Sequence, residues 1–179
     1  MGRNLKDFAK TESPDFLMKF RIALWFIIQN TIFKSAFTPC LVRIILLRFF
    51  GGVVGKRVLI RRGVKIHFPW NLIIGDDCWI GEEVWIINHA NIVIGSNVCI
   101  SQRSIICSGG HDYKSSSLQY DHKAIKIEDG VWICLDAKVL PGVTIGECSV
   151  VSAGEVVRKS LPDYSMLIDC RIRPIDRPK

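Results

Sequence analysis

The sequence predicts an all-β fold, a left-handed parallel β-helix built as a triangular prism, with short N-terminal helices. Two regularities carry this reading. Aliphatic residues recur every six positions, at Val54, Ile60 and Ile66, at Ile74, Ile80 and Ile86, at Ile94, Ile100 and Ile106, and again from Ile127 through Ile133, Val139, Ile145 and Val151 to Val157. A glycine often follows directly, as at Gly55, Gly75, Gly81, Gly95 and Gly146, and a small or β-branched residue sits four places after the aliphatic one, as at Val58, Cys78, Val98, Ser104, Ala137 and Ser149. A helix needs a period of about 3.6 residues and tolerates glycine poorly, while an ordinary strand alternates every second residue. Six-residue units suit a chain that runs a short strand, turns and repeats, so that three units close one coil and each coil stacks on the last. Glycine is expected to supply the torsions of the turns.

Coil spacing is 20 residues at first (54, 74, 94) and 18 later (127, 145), which predicts small bulges near Asn71–Leu72 and Asn91–Ile92. Glu155 stands where the pattern wants a small residue and is expected to point outward at the last coil. Both prism ends need covering, because an open sheet end recruits other chains. The organisation is therefore read as 1–50, a polar leader and an apolar, basic helical segment; 51–160, the β-helix with an external loop at about 111–124; and 161–179, a tail that caps the helix.

The N-terminal segment is the chemically unusual part. Residues 1–66 hold 13 Lys or Arg against 3 Asp or Glu, whereas the remainder holds 11 against 14, so the net charge of +7 is all N-terminal. Such asymmetry suits an anionic surface or a phosphorylated, lipid-linked substrate as well as a solvated basic face. From Phe16 to Phe50 the chain is strongly apolar, and Pro39 should divide it into helices from Asp15 to about Ser35 and from Thr38 to about Phe50. The longest charge-free run, Ile22 to Phe33, is shorter than the ~20 residues of a membrane span, so the helices are expected to pack on the prism or lie at a membrane surface. No cleavable signal peptide is read at the start. Seven cysteines with no CxxC pair are expected to be reduced and space-filling, which fits a cytoplasmic protein, peripheral at most at the inner membrane face.

The period breaks once, between Ile106 and Ile127, at Cys107-Ser108-Gly109-Gly110-His111-Asp112-Tyr113. An interruption tolerated in a regular solenoid is a candidate functional loop. Histidine is suited to taking a proton from an alcohol near neutral pH, since its ordinary pKa is about 6.5. His111 is thus the candidate general base, with Asp112 to orient the ring or bind substrate hydroxyls. Cys107 is read as a structural thiol rather than the nucleophile of an acyl-enzyme.

These residues resemble the hexapeptide-repeat acyltransferases, in the branch of maltose, galactoside and colanic-acid-type O-acetyltransferases. The resemblance runs from Val54 to about Arg173 and rests on Pro69-Trp70, Ile100-Ser101-Gln102, Ser108 to Tyr113, Gly130-Val131-Trp132-Ile133 and Leu140 to Gly146. It implies a homotrimer that binds acetyl-CoA, as co-substrate, in a groove between neighbouring prisms and requires no metal. It implies that His111 deprotonates a sugar hydroxyl in a direct transfer, with loop amides stabilising the oxyanion. It implies an acceptor held by Asn88, Asp112 and Trp132, the last from across the interface, and CoA held by Ala153, Arg158, Lys159 and Arg171. Cys134-Leu135 and Ile168-Asp169-Cys170-Arg171 depart from the family pattern within the expected CoA groove. The implied role is acetylation of a saccharide, lipid-linked in one reading, in surface or extracellular polysaccharide biosynthesis, with no nucleic acid as partner.

Two other classes stay on the table. A γ-class carbonic anhydrase shares the prism but needs three histidines converging on zinc; His67, His89, His111 and His122 are available, without the closely spaced pair such a site would use. A non-catalytic scaffold would be expected to lose the loop, yet His111 and Trp132 are both present. Serine acetyltransferases carry a large acidic helical N-terminal domain, unlike the short basic segment here.

Overall fold

The computed structural model describes residues 14–115 and 117–176, so the polar leader and the last three residues lie outside the described chain. Asp15 caps α1 (Phe16–Ile28) by accepting from Met18 N at 2.7 Å, and the helix runs on through a π-helical turn, Gln29–Phe33. After the Pro39 break comes α2 (Cys40–Phe49). The chain then winds into a left-handed parallel β-helix of about six coils.

The prism has three faces. The first stacks β1 (Val53–Val54), β4 (Leu72–Ile74), β7 (Ile92–Ile94), β10 (Ile125–Ile127) and β13 (Thr144–Ile145). The second stacks β2 (Leu59–Ile60), β5 (Trp79–Ile80), β8 (Cys99–Ile100), β11 (Trp132–Ile133) and β14 (Val150–Val151), and the third β3 (Lys65–Ile66), β6 (Trp85–Ile87), β9 (Ile105–Cys107), β12 (Lys138–Val139) and β15 (Val156–Val157). All these neighbours are parallel and in the register the period predicts, for example Ile74 on Ile94 and Ile80 on Ile100. Every aliphatic residue of the repeat from Ile60 to Val157 is buried, forming one continuous core. The extra residues of the early coils appear as a 3-10 turn at Pro69–Asn71 and a bend at 89–90, at the corners just before the expected bulges.

The glycines do a different job from the one expected. Gly55, Gly75, Gly81, Gly95 and Gly146 are not in the left-handed region; the positive-φ corners fall instead on Arg57, Asp77, Glu83, Asn97, Arg103, Asp136 and Cys148, with Gly63, Gly130, Gly142 and Gly154. A Cβ on Gly75 would lie 2.7 Å from the backbone carbon and oxygen of Gly95. These glycines permit close approach of coil to coil. Beside them runs a side-chain ladder: Asp76 Oδ1 accepts from Lys56 N (2.7 Å), Ser96 Oγ from Asp76 N (3.1 Å) and Asp129 Oδ1 from Ser96 N (2.7 Å). Each corner side chain thereby satisfies an amide one coil below.

Both ends are capped. Trp25, Phe33, Leu47 and Phe50 are buried against the first coil, and Trp25 Nε1 donates to Ile66 O at 2.7 Å. At the other end β16 (Ser165–Ile168) pairs with β14 and turns back as β17 (Arg171–Pro174) in antiparallel pairing. Glu155 Oε1 accepts from Cys170 N at 3.1 Å in the turn between them, so it serves the cap rather than simply pointing outward.

Gly75→Ala should lower unfolding free energy by about 2 kcal/mol, as overpacking against backbone that cannot yield. Ile100→Ala, in the middle of the second face, should cost about 2–5 kcal/mol. Denaturant melts of both variants against the native chain measure this, and an unchanged Gly75→Ala midpoint would refute the close-approach account.

Candidate active site

The site grows from the single interruption of the period. At the end of β9 the chain leaves the corner between the third and first faces and returns at β10. The excursion folds onto itself, with Lys123 N donating to Ser108 O (3.0 Å), Asp121 N to Gly110 O (2.9 Å) and Asp112 N to Gln119 O (2.8 Å). Two glycines make this possible, since a Cβ at 109 would lie 2.8 Å from His89 Cδ2 and one at 110 would lie 2.7 Å from Asp121 O.

His111 is exposed on this hairpin, its Nδ1 2.7 Å from Leu118 O. A carbonyl can only accept, so Nδ1 carries the hydrogen and the ring lone pair falls on Nε2. Asp112 Oδ1 accepts from Lys114 N at 2.9 Å and closes a local turn, while a backbone carbonyl orients the ring through Nδ1.

Asn88 also departs from expectation. It is fully buried, with Nδ2 donating to Phe68 O at 2.5 Å and Oδ1 accepting from Phe68 N at 2.9 Å. Its amide is spent on fastening one coil to the next, and a direct hold on an acceptor is ruled out by burial. Its neighbour His89 takes the open position, and here the sequence reading missed a cluster. His67, His89 and His122 follow one another at centroid spacings of 5.0 and 4.7 Å, the first pair tilted and the second stacked, and Tyr120 lies between His122 and His111 at 4.9 Å from each. Ile87, His89, Cys107, Gly109, Gly110, His111, Tyr120 and His122 line a cleft of about 200 Å³. Among the described residues no three His, Cys, Asp or Glu side chains could hold one metal ion.

Burial holds His67 and His122 below the ordinary imidazole value, with His111 adding to the effect on His122 and Asp121 opposing it. His89 is pushed down to about 4 by burial and by the neighbouring His67, His122 and His111. A neutral His122 fits its contacts, since Nδ1 accepts from Gly110 N at 3.2 Å. That bond also commits the Gly110 amide, one of the loop amides expected at the oxyanion. Cys107 Sγ, in the cleft wall, donates to Gly109 O at 3.4 Å.

The other expected residues lie elsewhere in the chain. Trp132 is half exposed on the second face, where its Nε1 donates to Ser101 Oγ at 3.0 Å. In a triangular section that face is opposite the His111 corner, so one chain does not bring the two together. Ala153 is exposed at the corner between β14 and β15. Arg158 and Lys159 share a cleft of about 230 Å³ with Val156, Leu161, Leu167, Cys170 and Ile172, while Arg171 is exposed at the start of β17.

The lowered histidines predict a pH effect on stability. Each binds its proton less readily folded than unfolded, so between about pH 6.5 and 4 the unfolded chain holds more protons. The stabilisation is complete above pH 6.5 and lost as pH falls. Thermal melts from pH 7.5 to 5 should show a declining midpoint, with a shallower decline in His89→Gln; equal slopes would exclude His89 as a contributor.

No family model matches the chain. It is 42% identical over 145 residues to the Escherichia coli protein WcaF, assigned to colanic acid biosynthesis as an acetyltransferase, covering 79% of each chain. It is 34% identical over 115 residues to a galactoside O-acetyltransferase of Lactococcus lactis, covering 64% of this chain and 50% of that one. A hexapeptide-repeat acetyltransferase from Vibrio cholerae, solved with acetyl coenzyme A, superposes with a TM-score of 0.79 at 27% identity over 94% of both chains. Repeat, loop and likeness agree: the chain belongs to the hexapeptide-repeat acetyltransferases, in the group that includes the colanic acid and galactoside proteins.

Proposed function

We propose that the protein transfers the acetyl group of acetyl-CoA to a sugar hydroxyl in the assembly of a surface polysaccharide, with His111 as general base. The observation that carries this reading is the His111 Nδ1–H bond to Leu118 O, which directs the basic nitrogen, Nε2, to the remaining edge of the ring. Nε2 takes the hydroxyl proton as the oxygen attacks the thioester carbonyl; the carbon–sulfur bond breaks, and the imidazolium returns the proton to the departing thiolate. No acyl-enzyme is needed, and Cys107 acts as cleft wall. Asp112 serves the acceptor by shaping the loop that carries His111.

The reading includes a homotrimer. His111 on one corner and Trp132 on the opposite face would complete one cleft between neighbouring copies, as a closed rotational assembly allows. Ala153, at a bare corner, would leave room for the pantetheine arm. Arg158, Lys159 and Arg171, gathered near the C-terminal end, would meet the CoA phosphates, where guanidinium forks pair well with phosphate oxygens. The reading also takes the protein to be cytoplasmic, supported by seven free thiols and a CoA thioester as donor.

Thiol release from acetyl-CoA on a panel of sugars tests this. His111→Ala should lower kcat by about 10²- to 10⁴-fold with CoA binding retained, while Cys107→Ser should keep activity within about threefold, because no covalent step uses it. Trp132→Ala should lower kcat/KM for the acceptor, with the trimer mass unchanged in light scattering. Turnover undiminished in His111→Ala would sink the mechanism, and a monomeric mass for the active protein would sink the shared cleft.

A further inference from the structure

The helical cap has two sides, and only one is explained by the prism. On α1 the half-buried and buried positions, Met18, Arg21, Ile22, Leu24, Trp25 and Ile28, follow helical spacing and face the first coil. The opposite side would be polar in a helix facing water. Here it is apolar: Phe16 is 80% exposed, Phe20 61% and Ile27 59%. On α2 the pattern repeats. Arg43 and Leu47 are buried, while Leu41, Ile45 and Phe49 form an outward stripe at i, i+4 and i+8. Phe37, at the turn between the helices, is 96% exposed.

Charge selects the occupant. From Phe16 to Gly75 the sequence contains no Asp or Glu, and ten Lys or Arg: Lys19, Arg21, Lys34, Arg43, Arg48, Lys56, Arg57, Arg61, Arg62 and Lys65. Near the turn at Phe37 lies a cleft of about 440 Å³, walled by Ala36, Arg43, Arg61 and Arg62. Arg43 is buried with only carbonyl partners, Phe33 O, Ser35 O and Ile60 O, and burial together with Arg61 lowers its pKa. Glu82, from the next coil, reaches Arg61 and Arg62 at 3.2 and 3.4 Å and is the acid at that cleft. A second copy of this cap would bring like charge against like charge. An anionic bilayer surface offers both an apolar layer for the phenylalanines and phosphates for the cations.

We propose that α1, the turn at Phe37 and α2 form a docking face for an anionic phospholipid bilayer, lying in its interface with the prism standing off on the aqueous side. Phe16–Phe33 is long and apolar enough to cross a membrane by length and composition, although Lys19 and Arg21 keep its charge-free run short. Its attachments set its orientation instead. The Trp25 ring is buried with Phe33 and Phe50 and bonded to Ile66 O, and Arg21 donates to Phe50 O while lying 4.3 Å from the Trp70 ring centroid. A spanning α1 would have to abandon all of these, leaving the first coil bare. The inference does not rest on the acetyl-transfer reading, since vesicle binding is measured without turnover.

The test is co-sedimentation of the full chain with vesicles of phosphatidylcholine alone and of phosphatidylcholine with about 30% phosphatidylglycerol. Binding should need the anionic lipid, fall with salt, persist in His111→Ala, and weaken about tenfold in Phe37→Ser/Phe49→Ser. Both substituted side chains are exposed, so circular dichroism should be unchanged. Native chain left in the supernatant with anionic vesicles would overturn the proposal. So would a double variant that binds as before, or one whose loss shows as a changed assembly mass at unaltered vesicle binding; the latter would assign the face to a second copy.

Discussion

The structure depends on vertical registry: each coil must lie directly on the one below, at strand-pairing distance, along three faces at once. Parallel strands of two or three residues make too few hydrogen bonds to hold alone. They become stable because Ile80, Ile100 and Ile133 stack as one buried column and because glycines such as Gly75 and Gly95 let backbones meet at the corners. Asp76, Ser96 and Asp129 then satisfy amides that the corners would leave open. A misplaced residue in one coil therefore disturbs all three faces, which is why extra length is taken up in corners and in one hairpin.

Registry also creates the site. Residues 22 positions apart, His67 and His89, become neighbouring rings because coils overlie one another, and the hairpin adds His122 and Tyr120 to the same column. Burial, reinforced at His89 and His122 by the neighbouring imidazoles, holds the column's histidines below the ordinary imidazole value beside His111. A neutral His122 can accept from Gly110, the residue before His111, so the column stiffens the hairpin where the ring is mounted.

The period made the prism and the loop legible before any coordinate, because six-residue recurrence admits few other folds and a histidine at its only break stands out. What could not be read were facts of three-dimensional adjacency. The resemblance assigns Asn88 to the acceptor, yet one coil of stacking buries it against Phe68. The left-handed corners fall on Arg57, Asp77 and Glu83, residues that carry no conformational signature, while the conspicuous glycines answer a contact from the neighbouring coil. The histidine column has a faint signal, three histidines at the ends of successive units, but spacings of 22 and 33 residues do not announce contact until the coil lengths are known. The basic, apolar N-terminus was visible as composition, whereas its division into a docked and an outward stripe required the helix phases.

A capped solenoid faces a conflict at its first coil. Whatever covers the open strands must present one apolar side to the prism, and an ordinary cap would make its other side polar. Here the covering helices are apolar on both sides, and after the capping Asp15 no carboxylate follows in the sequence until Asp76. For a freely diffusing protein this would be a liability, since an exposed apolar patch of this extent invites association. At a bilayer the same face becomes an attachment, and it lies at the end of the prism where His67 begins the column leading to His111. An acceptor carried on a membrane lipid would then meet His111 from the side on which the protein is held.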